Sequence, residues 1–202
     1  EWLKHTKTPH TDGMTKYICV DAASSRKKGS DYTAMLVIGL GGDQNYYVLD
    51  MVRDRLVLQD RADRLFKLHR KWKPLSVRYE RYGMMADIEH IKDRQARESY
   101  HFSIVEVAGK SSKVDRIKRL MPLFEQGRVY LPESLHVTDY ERVTRDLVHD
   151  FVEDEYMSFP LGGHDDMLDC LARIAEPDLN LTWPKEAPGY DFERSSAAGM
   201  LI

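Results

Sequence analysis

The sequence has few of the features that mark disulfide-stabilised, membrane-spanning or strongly basic proteins. Its two cysteines, Cys19 and Cys170, lie in apolar stretches without C-x-x-C spacing, so we expect reduced, buried thiols and no disulfide framework. No apolar run reaches the roughly 18 residues of a membrane-spanning helix. The formal net charge of −3 excludes a uniformly basic surface for nucleic acid. Any contact with nucleic acid must therefore come from local patches.

A complete phosphate-binding P-loop is also missing, although one stretch imitates its end. Gly109-Lys110-Ser111 lies between a predicted strand and a predicted helix, where the pattern G-x-x-x-x-G-K-[ST] would end. The first glycine of that pattern would stand at the position of Ile104, inside the predicted strand. We therefore predict that this chain alone does not hydrolyse ATP.

The 202 residues, of which 42% are hydrophobic, suffice for one domain with an apolar core. The chain begins with Glu1 and a polar stretch without a period, so we expect a domain cut from a longer protein. The predicted parts are a linker remnant over residues 1–16, one α/β domain over residues 17–176 and a C-terminal tail over residues 177–202.

The pattern of apolar residues predicts an α/β fold. Three β-rich runs, at 17–22, 31–40 and 46–52, predict an antiparallel meander. Alternating elements follow, with helices predicted over 57–72, 84–97, 113–126, 140–153 and 163–175 and strands over 75–79, 102–107 and 128–132. This order predicts a mixed sheet, an antiparallel meander followed by parallel strands, flanked by helices.

Acidic residues stand at the ends of several of these elements. Asp21 and Glu80 each end an apolar strand, where each alone also suits a strand cap or a pair with a neighbouring arginine. Asp165, Asp166 and Asp169 stand at the start of an apolar helix. A single acidic residue there would be enough to compensate the helix dipole, so three need another explanation. Like charges so close together repel unless a cation lies between them. Because carboxylates are preferred ligands of Mg²⁺ and Mn²⁺, the sequence predicts a metal site.

The order and spacing of these acids resemble the RNase H-like nuclease domain of tailed-phage terminase large subunits, part of the RuvC-like superfamily. The resemblance covers residues 17–176. Further stretches carry it, namely Asp21-Ala22-Ala23, Gly29-Ser30-Asp31-Tyr32-Thr33-Ala34, Lys110-Ser111-Ser112-Lys113-Val114-Asp115-Arg116-Ile117 and Gly127-Arg128-Val129-Tyr130-Leu131-Pro132. It implies an RNase H-like fold and hydrolysis of DNA phosphodiester bonds with two Mg²⁺ or Mn²⁺ ions.

The resemblance also implies roles for the acidic residues. The catalytic metal ligands would be Asp21, Glu80 and Asp166, and the further ligand would be Asp165 or Asp169, a choice that the sequence leaves open. Asp31 and His164 are auxiliary candidates, although both also suit ordinary structural roles at the start of a strand and of a helix.

A local excess of positive charge predicts where DNA would bind. Between residues 108 and 128 six basic residues face two acidic ones, a local charge of +4 in a chain of net −3. No aromatic run accompanies them, so sequence-specific recognition is not predicted. A solvated helix face would show the same pattern. The candidate phosphate contacts are Lys110, Lys113, Arg116 and Arg119, with Arg26, Lys27 and Lys28 in the loop after Asp21.

The partners expected from the resemblance are double-stranded DNA, a portal protein, a small terminase subunit, a procapsid and an N-terminal ATPase domain of the same full-length protein. The expected place of action is the host cell cytoplasm during virus assembly, with no membrane partner. Two alternatives remain. One is another RNase H-like nuclease, such as a Holliday-junction resolvase or a transposase core, and the other is a non-catalytic module that docks on DNA or the portal.

Overall fold

A seven-stranded mixed sheet carries the fold in the computed structural model, which describes residues 2–6, 11–23, 32–80, 85–107, 111–176 and 179–185. Strands β1 to β7 form this sheet, and β8 and β9 form a separate two-stranded hairpin. The strands are β1 Lys4–Thr6, β2 Thr15–Asp21, β3 Thr33–Leu40, β4 Tyr46–Asp54, β5 Ser76–Glu80, β6 Ile104–Val107, β7 Val129–Pro132, β8 His136–Thr138 and β9 Thr144–Asp146.

The helices lie between and after these strands. Within the described ranges no helix is long and apolar enough to cross a membrane. The helices are α1 Leu58–Trp72, α2 Met85–Arg97, α3 Lys113–Glu125, α4 Leu147–His149, which continues as a π-helical segment Asp150–Tyr156, and α5 Asp166–Ala172, which continues as a 3₁₀ turn Arg173–Ala175.

The strand order in the main sheet is β1-β7-β4-β3-β2-β5-β6. The central pairs β2 with β3 and β3 with β4 are antiparallel, whereas β5, β6, β7 and β1 join by parallel pairing. The structure thus confirms the predicted antiparallel meander followed by parallel strands. Because β2 and β5 are parallel neighbours, their carboxyl ends lie at the same edge of the sheet.

Each face of the sheet is covered by its own layer of helices. Side chains alternate along a strand, so the neighbours Ile18 and Cys19 of β2 point to opposite faces. Ile18 packs with Phe66 of α1 and Ile91 of α2 in one buried cluster. Cys19 belongs to the other cluster, which α3, the π-helical segment and α5 complete. Helix α5 therefore lies on the face opposite to α1 and α2.

One predicted helix is wrong over its first half. Residues 140–153 were expected to be helical, but the helix begins only at Leu147 and a hairpin precedes it. The turn of this hairpin places Arg142 at φ 64°, and Asp139 Oδ1 accepts a hydrogen bond from Val143 N–H at 2.9 Å. Val143, expected on the apolar side, is exposed. Asp146 caps the true helix start by accepting from Val148 N–H at 3.1 Å.

Parts of the expected linker and tail belong to the sheet and its core. Strand β1, within the expected linker, is the outermost strand of the sheet and pairs in parallel with β7. In the expected tail, Leu179 is buried, and Thr182 N–H donates to the Tyr17 hydroxyl at 2.9 Å. Trp183 packs edge-on against Tyr46, with ring centroids 4.9 Å apart. Residues 186–202 of that tail lie outside the described ranges.

His69, in the last turn of α1, fastens this helix to the loop before β6. Its ring stacks on Phe102 at 4.1 Å, and Nδ1 shares a hydrogen bond with the Tyr100 hydroxyl at 2.8 Å. Burial lowers the pKa of His69, and the positive charge of Arg70 lowers it further. The folded protein therefore favours the neutral imidazole.

We expect His69 to make folding stability depend on pH on the acid side. Because the folded state resists protonation, stability is lost as pH falls below the unfolded pKa of about 6.5. His69→Gln should reduce the dependence of the unfolding free energy on pH between about pH 7.5 and 5, measured by urea denaturation. The exposed histidine His101 provides the control, and a slope equally reduced in His101→Gln would contradict the assignment.

Candidate carboxylate site

Two acidic residues end neighbouring parallel strands at the same edge of the sheet. Asp21 is the last residue of β2, and Glu80 is the last residue of β5. The register pairs Val20 with Tyr79, so the two acids that follow them lie side by side. The two side chains are close enough for each to shift the pKa of the other. Parallel strand pairing thus creates a carboxyl pair.

The protonation of this pair follows from its burial and its neighbours. Burial raises the pKa of Asp21, and the negative charges of Glu80 and Asp169 raise it further. Burial acts in the same direction on Glu80, but the hydrogen bond and charge of Arg173 outweigh it, so the pKa of Glu80 is lowered. The neighbours of the two carboxyl groups therefore shift their pKa values in opposite directions, that of Asp21 upward and that of Glu80 downward.

Helix α5 lies across the strands that lead to this pair. Cys170 Sγ donates to the carbonyl oxygen of Cys19 in β2 at 3.3 Å, and the carbonyl oxygen of Ala34 in β3 lies 3.7 Å away. The two buried thiols thus serve packing, and burial raises the pKa of both well above the ordinary value. The sequence expectation of buried, reduced cysteines agrees with this arrangement.

The first residue of α5 is a third carboxylate, Asp166, which is 5% exposed. His164 Nδ1 lies 3.8 Å from Asp166 Oδ2, and the His164 ring packs edge-on against Tyr32 at 5.2 Å. Tyr32 comes two residues before Ala34, which is the register partner of Asp21. These contacts place the start of α5 at the edge of the sheet where Asp21 lies.

The two other acids of this segment differ in their partners. Asp169 accepts hydrogen bonds from Arg116 at both oxygens, from Nε at 2.8 Å and from Nη2 at 2.6 Å, and both side chains are buried. Asp165 instead pairs with Lys113, with Nζ 2.5 Å from Oδ1, and both side chains are about one third exposed, at 32% and 39%. Asp169 is therefore fully engaged by the chain itself, whereas Asp165 keeps one oxygen outside this ion pair.

Arg173 is a site residue that the sequence analysis missed. Its guanidinium pairs with Glu80 and also donates to Glu176 Oε2 at 3.0 Å. Glu176 Oε1 in turn accepts from the Ser111 hydroxyl at 2.8 Å. The side chain of Arg173 is only 4% exposed. The available signal was an arginine within the apolar stretch Leu171-Ala172-Arg173-Ile174, where an unpaired charge is costly.

The basic face expected on α3 is smaller than the sequence suggested. Arg116 was expected to contact phosphates, but it is buried among residues of α3 and α5 and engaged by Asp169. Lys118 and Arg119 are exposed, and Lys113 is partly exposed beside Asp165. The other candidates, Asp31, Lys110, Arg26, Lys27 and Lys28, lie outside the described ranges.

The donor chemistry of the edge fits a hard divalent cation, although the described part of the chain holds no ready-made metal cluster. Among the described residues no three carboxylate, imidazole or thiol groups converge closely enough to hold an ion. Three basic side chains, Arg116, Arg173 and Lys113, draw carboxylates to themselves. Asp21 and Glu80 still offer what such a cation needs, adjacent carboxylate oxygens whose mutual repulsion it would relieve.

Sequence comparison identifies one matching family. The family described as terminase RNase H-like domain matches residues 18–175, which include Asp21, Glu80, Asp165, Asp166 and Asp169. No curated protein is similar enough in sequence to count as a match.

Solved structures with the same fold include two terminase nucleases. The large terminase nuclease of the thermophilic phage G20c is 19% identical, with a TM-score of 0.53 over 84% of this chain and 90% of that chain. The human cytomegalovirus terminase nuclease domain is 14% identical, with a TM-score of 0.58 over 88% of this chain and 91% of that chain. The phage domain has been solved with bound magnesium and with bound cobalt, and the cytomegalovirus domain after a manganese soak.

The buried pair of Arg116 and Asp169 should contribute strongly to stability. Asp169→Ala leaves a buried guanidinium without its carboxylate, so we expect the unfolding free energy to fall by about 3–5 kcal/mol. Urea denaturation in the presence of a chelator measures this without a metal contribution. Adding Arg116→Met to Asp169→Ala should recover much of the loss, because the double variant no longer leaves the guanidinium of this pair buried without its carboxylate.

Asp165→Ala is the matched control for this measurement. It removes the partly exposed pair with Lys113, which we expect to contribute less than about 1 kcal/mol. Equal losses in Asp169→Ala and Asp165→Ala would contradict the structural assignment of Asp169.

Proposed function

The chain belongs to the terminase RNase H-like domain family, and we propose on this basis that it is the DNA endonuclease domain of a viral genome-packaging terminase. Its substrate would be concatemeric double-stranded DNA, cut by metal-dependent hydrolysis of phosphodiester bonds. The observation that carries this proposal is the placement of Asp21 and Glu80 side by side at the ends of two paired strands, with Asp166 at the same edge of the sheet. Repelling carboxylates held together in a folded protein favour a cation-binding role.

The residues proposed to hold two Mg²⁺ or Mn²⁺ ions are Asp21, Glu80 and Asp166, with Asp165 as the further ligand. Asp165 is preferred to Asp169 because Asp169 gives both oxygens to Arg116. The bound ions would activate water and stabilise the charge that develops on the phosphate.

The other residues of the edge would hold these ligands in place. Arg173 anchors Glu80 and limits its rotation, because Glu176 fixes the guanidinium from the other side. His164 lies near the Asp166 carboxylate and is 44% exposed, which suits a residue that orients Asp166 or passes a proton to solvent.

DNA would approach along the exposed basic side chains of α3. Lys118 and Arg119 point to solvent on the helix that also supplies Lys113 to the acidic edge. Contacts to phosphates there would not depend on base sequence. The proposal carries with it the portal protein, small terminase subunit, procapsid and N-terminal ATPase domain as partners, and the host cell cytoplasm as the place of action.

The two alternatives predict different substrates. A Holliday-junction resolvase or transposase core would cut branched DNA in preference to linear duplex. A docking module would bind DNA or the portal and leave plasmid DNA intact with either metal. Incubation with linear duplex, four-way junction and plasmid DNA in Mg²⁺ and in Mn²⁺ separates all three.

Removal of the Asp21 carboxyl should abolish cutting. Asp21→Asn keeps the size of the side chain and its capacity to bond with Glu80, so we expect a folded protein with at least about 100-fold slower nicking of supercoiled plasmid in Mn²⁺. Agarose gels measure the rate, and circular dichroism verifies the fold. Glu133→Gln, an exposed acid distant in sequence from the site residues, is the control and should cut normally. Full activity in Asp21→Asn would refute the assignment of Asp21.

Reversal of the exposed charges on α3 should weaken DNA binding without changing metal binding. The double variant is Lys118→Glu with Arg119→Glu. Lys113 is left unchanged because it forms an ion pair with the site carboxylate Asp165. We expect at least about tenfold weaker duplex binding at low salt and a salt dependence reduced by about two charges. Fluorescence anisotropy against salt concentration measures both.

The matched control carries the same charge change on the opposite face of the sheet. Lys67→Glu with Lys92→Glu alters exposed residues of α1 and α2. Equal weakening by both double variants would show an effect of net charge and would argue against α3 as the DNA surface.

A further inference from the structure

Helix α5 does not use its own N-terminal residue as a cap. Asp165 occupies the N-cap position, where aspartate ordinarily accepts a hydrogen bond from the first turn. Its side chain makes no such bond and reaches Lys113 instead. The first N–H groups of a helix have no partner within the helix, so they need another acceptor.

Glu155 supplies that acceptor from the π-helical segment. Its Oε2 accepts a hydrogen bond from Leu168 N–H at 2.8 Å. Glu155 is 0% exposed, so the contact is shielded from water. A glutamate from a separate helical segment thus caps the first turn of α5, the turn that carries Asp166.

The carboxylate of Glu155 is itself held to the sheet. Arg53 of β4 lies with Nε 3.3 Å from Glu155 Oε1, and its Nη1 lies 3.7 Å from Asp150 Oδ2. The guanidinium also stacks over the ring of Tyr32 at 4.3 Å. A buried carboxylate is tolerated when it has a counter-charge and hydrogen bonds, and Glu155 has both. The chain of contacts from β4 through Glu155 to α5 is therefore continuous.

We propose that Glu155 is a positioning residue for the carboxylate site, which caps α5 so that Asp166 faces the edge of the sheet and Asp165 is released from the capping role. This inference rests on the proposed metal-dependent function. Glu155 acts through the backbone of Leu168, two residues after Asp166. Interactions that orient metal ligands in this way commonly alter metal affinity by about 10–100-fold.

The test compares two substitutions of nearly equal size. Glu155→Gln keeps a carbonyl oxygen that accepts from Leu168 N–H, whereas Glu155→Met removes the acceptor, and both remove the charge. We expect Mn²⁺ to bind Glu155→Met at least about tenfold more weakly and Glu155→Gln within about threefold of the parent protein. Free Mn²⁺ is measured by electron paramagnetic resonance during titration, without DNA and without an activity assay.

A structural control separates positioning from general destabilisation. Leu65→Ala creates a cavity at a fully buried residue of α1, on the opposite face of the sheet. It should lower the melting temperature without changing the Mn²⁺ affinity of the folded protein. Mn²⁺ binding weakened equally by Leu65→Ala and Glu155→Met would overturn the positioning role.

The remaining outcomes distinguish this inference from the proposed function. If Asp166→Asn loses Mn²⁺ binding and Glu155→Met binds as the parent does, the metal site stands and the role of Glu155 falls. If the parent protein binds no Mn²⁺, or Asp166→Asn binds equally well, the proposed metal site falls and the inference falls with it. Amide exchange in the parent protein is independent of any variant's folding, and an unprotected Leu168 N–H would overturn the cap itself.

Discussion

The crowding of carboxylates at one edge of the sheet is the constraint on which the surrounding structure depends. The parallel register of β2 and β5 sets Asp21 beside Glu80, and α5 adds Asp166 and Asp169. The repulsion between such groups must be relieved for the protein to fold. The chain does so with two buried guanidinium groups, Arg173 beside Glu80 and Arg116 beside Asp169. Charge as well as apolar packing therefore fixes α3 and α5 to the sheet.

A further buried ion pair supports the same edge from the opposite face of the sheet. Arg61 of α1 donates to both oxygens of Asp87 at 2.7 Å, and the Tyr79 hydroxyl donates to Asp87 at 2.5 Å. Arg61 also donates to the carbonyl oxygen of Ala23 at 3.2 Å. Ala23 lies two residues after Asp21, and Tyr79 directly precedes Glu80. One arginine thus connects the ends of both strands that carry the carboxyl pair, which gives the site support from two layers of helices.

The sequence predicts the order of the fold and the main acids because those signals are local. An acid at the end of an apolar strand, as at Asp21, is visible without knowledge of any distant residue. The partners of the acids are not visible, since they depend on which helix crosses which strand. Lys113, Arg116 and Arg119 are each three residues apart, which is less than one helical turn, so their side chains point in different directions around α3. The side chain of Arg116 therefore points toward α5 and pairs with Asp169, whereas Lys113 pairs with Asp165. Arg173 meets Glu80 only through the crossing of α5, for the same reason.

The seating of residues 179–185 on the sheet has a practical meaning for where this domain ends. Composition alone suggests a boundary after Glu176, yet Leu179 is buried and Trp183 covers the ring of Tyr46. A protein shortened at that boundary would expose part of the apolar layer around Tyr17 and Tyr46. Uncovered apolar surface of this kind promotes self-association. The smallest unit of this fold that keeps its apolar core covered therefore extends past the last helix and includes residues 179–185, which lie over β2 and β4.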